Sequence, residues 1–334
     1  MDDKHILLAH GNGGRFMREL IDAVFASHLK NPHLDTRVDA VGVPVPGGEI
    51  VVTTDGFTVQ PLEFPGGDIG SLAVHGTVND LAVSGATPLY LTLNTFIEEG
   101  LAVAQLERII ASLGRAARES GVSVVAGDTK VVRRGEGGGL YLATTGVGIS
   151  RNGVRPSMAN VQPGDAILVS GPVGDHGIAV MLAREQFGLS GDVRSDSACV
   201  LPLTYALLDG PGLRFMRDPT RGGLATVAHE LCHGTGLTVT LTESAIPIRD
   251  PVRSVCEMLG YDPLYLACEG RVVAVVAPHH AEAALSAWRA LPQGSAAAKI
   301  GEVSQGRPQV VLRTALGGER LLEELEDDPL PRIC

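Results

Sequence analysis

Val78-Asn79-Asp80-Leu81-Ala82-Val83-Ser84-Gly85-Ala86-Thr87-Pro88 ends one element and begins another. Asp68 to Gly85 reads as a helix with Asn79 and Asp80 in its second half, and Pro88 to Ile97 reads as a strand. Downstream, Leu101 to Ser120 is an amphipathic helix. Val122 to Ala126 is a strand that delivers Gly127-Asp128-Thr129-Lys130, and Leu140 to Ile149 is another strand. Upstream, Glu49 to Thr54 is a strand leading into Asp55-Gly56-Phe57. Strands and helices interleave, but strands also cluster in pairs. The pattern predicts an α+β layer rather than a doubly wound sheet.

Outward from this block the chain divides. His5 to His10 is a short apolar run, followed by Gly11-Asn12-Gly13-Gly14 and a helical pattern from Phe16 to Lys30. Strand, glycine turn and helix form a phosphate-cradling shape, although a plain turn serves as well. The third glycine of a dinucleotide fingerprint would fall on Phe16, and no Lys-Ser/Thr of a P-loop follows. Gly153 to Gly164 is a polar connector. It sets expected domains at 1–34 (glycine-rich segment), 35–155, 156–322 and 323–334 (flexible tail). The second half restarts with a strand at Ala166 to Ser170, a turn through Gly174-Asp175-His176-Gly177, and a helix to Phe187. Arg217-Asp218-Pro219-Thr220-Arg221-Gly222-Gly223 opens a helix from Leu224 to His233. Tyr265 to Cys268 reads as a short strand reaching Glu269-Gly270, Arg271 to Ala277 as an apolar strand, and Ala281 to Leu291 as a helix.

At 334 residues the chain is long enough for two cores. Its net charge of −11 argues against nucleic acid as a partner. No run of apolar residues is long enough to span a membrane, and the acidic start is not a signal peptide. Five cysteines show neither CxxC nor framework spacing, so a reduced, cytoplasmic location is expected. Cys199, Cys232, Cys256 and Cys268 lie in apolar stretches and read as core residues.

Asp55, Asp80 and Asp128, with Asn12 and Asn79 as neighbours, are hard oxygen donors of the kind that hold Mg²⁺ against a polyphosphate. Lys130 lies two residues past Asp128, on the same side of an extended segment, where it could meet a phosphate tail. Taken singly, each acid is better explained as a cap or turn residue. His229-Glu230-Leu231-Cys232-His233 matches HExxH, the zinc-peptidase pattern. Its third ligand is missing: position 239 is Val, and Glu243 and Glu257 are off the spacing. A helix with locally bonded histidines, and no stoichiometric zinc, is the expectation.

Pro329-Leu330-Pro331-Arg332-Ile333-Cys334 follows the acidic run Glu323 to Asp328. Two prolines in three residues favour an extended path. The tail reads as a thiol on a semi-rigid arm or as a frayed end with an incidental cysteine.

His10-Gly11-Asn12-Gly13-Gly14, Thr54-Asp55-Gly56, the VNDLAVSGATP block, Ala126-Gly127-Asp128-Thr129-Lys130, Arg217 to Gly223 and the terminal Pro331-Arg332-Ile333-Cys334 occur in that order. Together they resemble the hydrogenase-maturation carbamoyl dehydratases, HypE. The VNDLAVSGATP and AGDTK segments alone resemble the wider superfamily of aminoimidazole ribotide synthetase, selenophosphate synthetase and thiamin-phosphate kinase. The resemblance implies a two-domain α+β subunit of the PurM-like type. Its first domains would pair in a homodimer to form a barrel-like sheet, with ATP near that interface. The implied reaction is ATP-dependent dehydration of an S-carbamoyl group on Cys334 to a thiocyanate, the source of cyanide for [NiFe] hydrogenase. The implied partners are the carbamoyltransferase HypF and a HypC–HypD scaffold. On this resemblance Cys334, Lys130 and Glu269 are the catalytic candidates. Asn12, Gly13, Asp55, Asn79, Asp80, Asp128 and Lys130 would hold ATP, and Asp55, Asp80 and Asp128 would hold Mg²⁺. A thiol carrier or scaffold with regulatory nucleotide binding is the alternative from a different class.

Overall fold

The computed structural model describes residues 4–11, 14–36, 41–151, 156–184 and 192–325. Asn12, Gly13 and Cys334 lie outside the described residues. The backbone separates into two compact units. One runs to Ser150, and the other starts at Arg151 and includes Ala82–Gly85.

The first unit begins without the strand expected at His5 to His10. Ile6 N donates to Leu101 O at 2.8 Å, but Leu7 N turns to His10 Nδ1 at 3.0 Å, and a 3₁₀ turn follows at Leu8–Gly11. The buried His10 ring takes the donor that a strand would use. The expected helix from Phe16 appears as α1 (Gly14–Leu20), a π-helical stretch (Ile21–Ala26) and a last turn, α2 (Ser27–Leu29).

The sheet of this unit contains β1 (Ile50–Phe57), β4 (Ala86–Glu98), β5 (Ser123–Val132) and β6 (Leu140–Ser150), in the order β1-β6-β4-β5. A two-stranded ribbon, β2 (Glu63–Phe64) with β3 (Gly67–Asp68), leads into α3 (Ile69–Val83). Asp68 starts α3 as its cap. Its Oδ1 accepts from Gly70 N at 2.8 Å and Ser71 N at 2.9 Å, while Asp68 N donates to Ser71 Oγ at 3.1 Å. α4 (Val103–Glu119) crosses from β4 to the parallel β5. It buries Leu106, Ile109, Ile110, Leu113, Ala116 and Ala117, an apolar stripe at helical spacing.

The two faces of this sheet differ. Thr144 and Leu93 are buried, whereas Ile50 (55%), Val52 (61%) and Phe96 (42%) remain exposed on the other side. β1 and β5, each expected to end before its acid, continue through Asp55 and Asp128 instead. Ladder pairing carries the strands past their glycines, because Asp55 pairs Thr144 and Asp128 pairs Asn94.

The second unit has a seven-stranded sheet. Its strands are β7 (Ala166–Val169), β8 (Leu213–Arg217), β9 (Thr238–Thr242), β10 (Val273–Val276), β11 (Ala298–Ser304), β12 (Val310–Arg313) and β13 (Glu319–Leu321). Their order is β13-β12-β9-β11-β7-β10-β8, and only the β12–β9 pair is parallel. The helices are α5 (Asp175–Arg184), α6 (Leu201–Leu208), α7 (Gly223–Thr235), α8 (Asp250–Leu259) and α9 (Ala281–Arg289). Alternation along β7 splits the core: Ile167 and Val169 join one cluster with Leu224 and Leu231, while Ala166 and Leu168 join another with Trp288. Both faces are covered, which accounts for the continuous apolar reading of β7 and β10.

The strand expected at Tyr265 to Cys268 is instead a 3₁₀ turn (Pro263–Tyr265) followed by an irregular segment. Its backbone donors bond to loops rather than to a ladder: Cys268 N donates to Pro219 O at 3.0 Å and Glu269 N to Asp196 Oδ1 at 3.1 Å. Glu269 therefore sits in a bend, not at a strand end. No described helix is long and apolar enough to cross a membrane. Cys232, Cys256 and Cys268 are buried and Cys199 is half-buried; all four are free thiols.

Candidate functional site

Helix α3 and strand β1 place two of the three predicted acids at one interface. Thr53 and Asp55 lie on the helix-covered face of β1 by strand alternation, since Asp55 pairs the buried Thr144. Thr53 Oγ1 donates to Asp80 Oδ2 at 2.8 Å. Asp55 Oδ1 accepts from Gly56 N at 2.7 Å, and its Oδ2 lies 3.7 Å from where a Cβ would stand on Gly76 of α3. Asn79, beside Asp80, is buried, as is Thr77, whose hydroxyl hydrogen-bonds that of Thr144.

The glycine that permits this approach is Gly146. A Cβ there would lie 2.7 Å from Thr77 Cγ2 and 3.0 Å from Leu81 Cδ1, so only hydrogen lets α3 rest on β6 at this point. Burial also holds the nearby His75 neutral, its pKa pushed down to about 4.

Asp128 and Lys130 stand elsewhere. Asp128 pairs Asn94 and Lys130 pairs Phe96, so they share the face opposite to Asp55. β1 and β5 are the two edges of the sheet, three strand spacings apart, or about 14 Å. Lys130 Nζ lies 2.8 Å from Asp128 Oδ2 and holds that carboxyl below the usual carboxylate range. Within one chain, then, the structure sets Asp55 and Asp80 at the same α3–β1 interface and joins Asp128 to Lys130, but does not bring the three acids to one point. Beside Asp128 an open cleft is walled by Met17, Ile21, Phe25, Leu29 and Thr129.

In the second unit Glu269 is buried in a charged network that the sequence reading missed. Arg271 Nε lies 3.2 Å from Asp196 Oδ2, and an Arg271 guanidinium nitrogen lies 3.6 Å from Asp175 Oδ2. Arg249 Nε approaches the same Asp175 oxygen at 3.3 Å. Burial, with the charge of Asp196 added, pushes Asp175 up to about 6. Asp196 in turn accepts the Glu269 N–H, and a Cβ on Gly270 would meet the Asp196 carbonyl oxygen at 1.8 Å. The network fixes the backbone that carries Glu269. Its only sequence signal was the Gly174-Asp175-His176-Gly177 turn, read as a loop. Asp196 and Arg249 gave no signal, because nothing in their spacing places them beside Glu269.

The HExxH stretch lies on α7, where Glu230 is partly exposed and ion-paired. Its Oε2 pairs with Arg217 Nε at 3.3 Å. A peptidase arrangement is not supported.

Comparison with known proteins settles the family. Residues 38–150 match the N-terminal domain, and residues 162–313 the C-terminal domain, of AIR synthase related proteins. The carbamoyl dehydratase HypE of Azotobacter vinelandii is 48% identical over 98% of this chain and 96% of its own length. The chain belongs to the HypE family. A crystal structure of hydrogenase maturation protein HypE in complex with ATP superposes with a TM-score of 0.94 at 46% identity, covering 98% of this chain and 99% of that one. A HypE from a crystal structure of a HypE–HypF complex superposes at 0.81 with 43% identity, covering 92% and 99%. The PurM-like α+β fold expected from the sequence is the fold of this family.

Proposed function

We propose that this chain is the ATP-dependent carbamoyl dehydratase of hydrogenase maturation. It would dehydrate an S-carbamoyl group on Cys334 to a thiocyanate. The supporting observation is Asp80, held by Thr53 under α3 with Asp55 two residues along the same strand face, in a chain that aligns with HypE over nearly its whole length. An amide oxygen is a poor leaving group, and phosphoryl transfer from ATP turns it into a good one. Loss of that phosphate and removal of the amide protons leave the nitrile.

Oxygen donors of this class fit Mg²⁺, which when bound would offset charge on the triphosphate. Asp55 and Asp80 would hold it. Asp128 and Lys130 would reach the same nucleotide from a second copy, because in their own chain they lie on the far edge and face of the sheet. This is the reason to propose a homodimer through the first unit, and the exposed Ile50, Val52 and Phe96 supply an apolar face for it. A barrel-like sheet closed between two copies would cover that face. Asn12, Gly13 and Asn79 complete the proposed nucleotide contacts. Glu269, fixed by the Asp196–Arg271 network, and Lys130 are the proposed proton carriers. Carrying the substrate on the chain's own thiol gives it a high effective concentration. The proposed partners are HypF as carbamoyl donor and HypC–HypD as acceptor, in the cytoplasm.

Intact-protein mass spectrometry after carbamoylation tests the reading. Mg-ATP should remove one water from the wild type, while Asp80→Ala should stay folded, keep the carbamoyl mass and lose most ATP turnover. Unchanged turnover in Asp80→Ala would remove Asp80 from the site.

A further inference from the structure

We propose that His229 and His233 of α7, with Glu324 from the segment after β13, form a site for a divalent metal of the zinc class. The bound ion pins the root of the C-terminal arm to α7. One ligand atom from each of the three residues lies within 4.8 Å of the others. A tetrahedral zinc centre needs ligand atoms about 3.4 Å apart, so a contraction of about 1 Å closes the site. His233 and Glu324 are more than half exposed and can supply that movement by changing rotamer.

The chemistry selects the metal. Two imidazoles and one carboxylate suit Zn²⁺ or Co²⁺, whereas Mg²⁺ prefers an all-oxygen shell and leaves imidazole alone. The ring of His229 is already oriented. Its Nε2 lies 3.1 Å from Leu322 O, and a carbonyl can only accept, so Nε2 carries the proton and Nδ1 keeps its lone pair. A backbone carbonyl in this role is the usual outer partner of a metal-binding histidine. Spacing explains the two histidines, at i and i+4 on one helix face. The third ligand, 91 positions beyond His233, could not be found by motif, which is why the sequence led to an expectation of no zinc.

Three consecutive residues at the root of the arm are held one after another. Leu322 is buried and bonds to His229, Glu323 O accepts from Tyr265 Oη at 2.7 Å, and Glu324 Oε2 lies 3.8 Å from His233 Nε2. The start of the acidic run is thus tethered at its backbone, while the Glu323 and Glu324 side chains stay exposed. Without a metal, the last of these contacts is an exposed ion pair worth little. With one, it becomes a crosslink between α7 and the stretch that leads to Cys334.

Metal binding does not depend on the dehydratase reading and is read without activity. Tag-free, chelator-treated full-length protein is titrated with Co²⁺ in excess Mg²⁺ while visible absorption is recorded, and Zn²⁺ then displaces the cobalt. One equivalent should bind with tetrahedral d–d bands, unchanged in Asp80→Ala. His233→Ala and Glu324→Gln, both at exposed positions that folding tolerates, should weaken binding by at least the 10–100-fold typical of losing an outer partner. Limited proteolysis of the segment beyond Glu324 should slow with Zn²⁺ in the wild type and not in His233→Ala. Absence of bands, or equal affinity in the two variants, overturns the site. Equal proteolysis with and without Zn²⁺ overturns the pinning.

Discussion

Gly146→Ala is the substitution that most directly probes how α3 is seated on the sheet. The new methyl would stand 2.7 Å from Thr77 Cγ2 and 3.0 Å from Leu81 Cδ1. Ordinary carbon contacts begin near 3.5 Å, so α3 must rise by several tenths of an ångström or Thr77 must leave its bond to Thr144. Overpacking of this kind costs about 1–3 kcal/mol, and the reduced freedom of the unfolded chain returns about 0.4–1 kcal/mol. A net loss of about 1–2 kcal/mol is expected. Asp80 lies one helical turn from Thr77 and moves with it, while Asp55 on β1 does not. A misplacement of about 1 Å in a positioned group costs on the order of a hundredfold in rate, so ATP turnover should fall at least about tenfold. Urea unfolding and steady-state phosphate release measure the two effects. Wild-type values in both assays would show that α3 does not rest on Gly146 and that its seating does not position Asp80.

The exposed sheet face gives a second prediction. Val52→Asp should shift sedimentation from dimer towards monomer and lower turnover with it, and an unchanged dimer would move the interface elsewhere. The third concerns pH. Asp175 has its pKa raised to about 6, against an unfolded value of 3.8, so it favours the folded state fully below about 4 and loses that contribution as pH rises through 6. By neutral pH the loss approaches 3 kcal/mol, at about 1.4 kcal/mol per unit, as an upper figure for an acid flanked by two arginines. Asp175→Asn should remove this part of the stability slope between pH 4 and 6; an unchanged slope would mean that Asp175 titrates normally.

Much of the architecture was legible because its elements carry strong local signals. α4 shows its apolar stripe, and β7 and β10 the unbroken apolar runs of strands covered on both faces. The failures came where tertiary partners decide the backbone. His10 takes a donor from the expected first strand, and the Pro219 carbonyl takes one, from Cys268, in the segment before Glu269. The candidate residues were visible as types, but their grouping was not. Sequence order cannot show that Asp55 and Asp128 lie on opposite edges and faces, because that follows from the strand order β1-β6-β4-β5. Nor can it place Glu324 beside His233.

The central claim is that Cys334 carries the group being dehydrated. Peptide-level mass spectrometry of the C-terminal segment tests it, with the protein incubated first with a carbamoyltransferase system and then with Mg-ATP. The account predicts that the peptide gains one carbamoyl group, then loses one water. Cys334→Ala should bind ATP and form no thiocyanate. Modification on Cys199, Cys232, Cys256 or Cys268 instead, or a nitrile formed by Cys334→Ala, would contradict it.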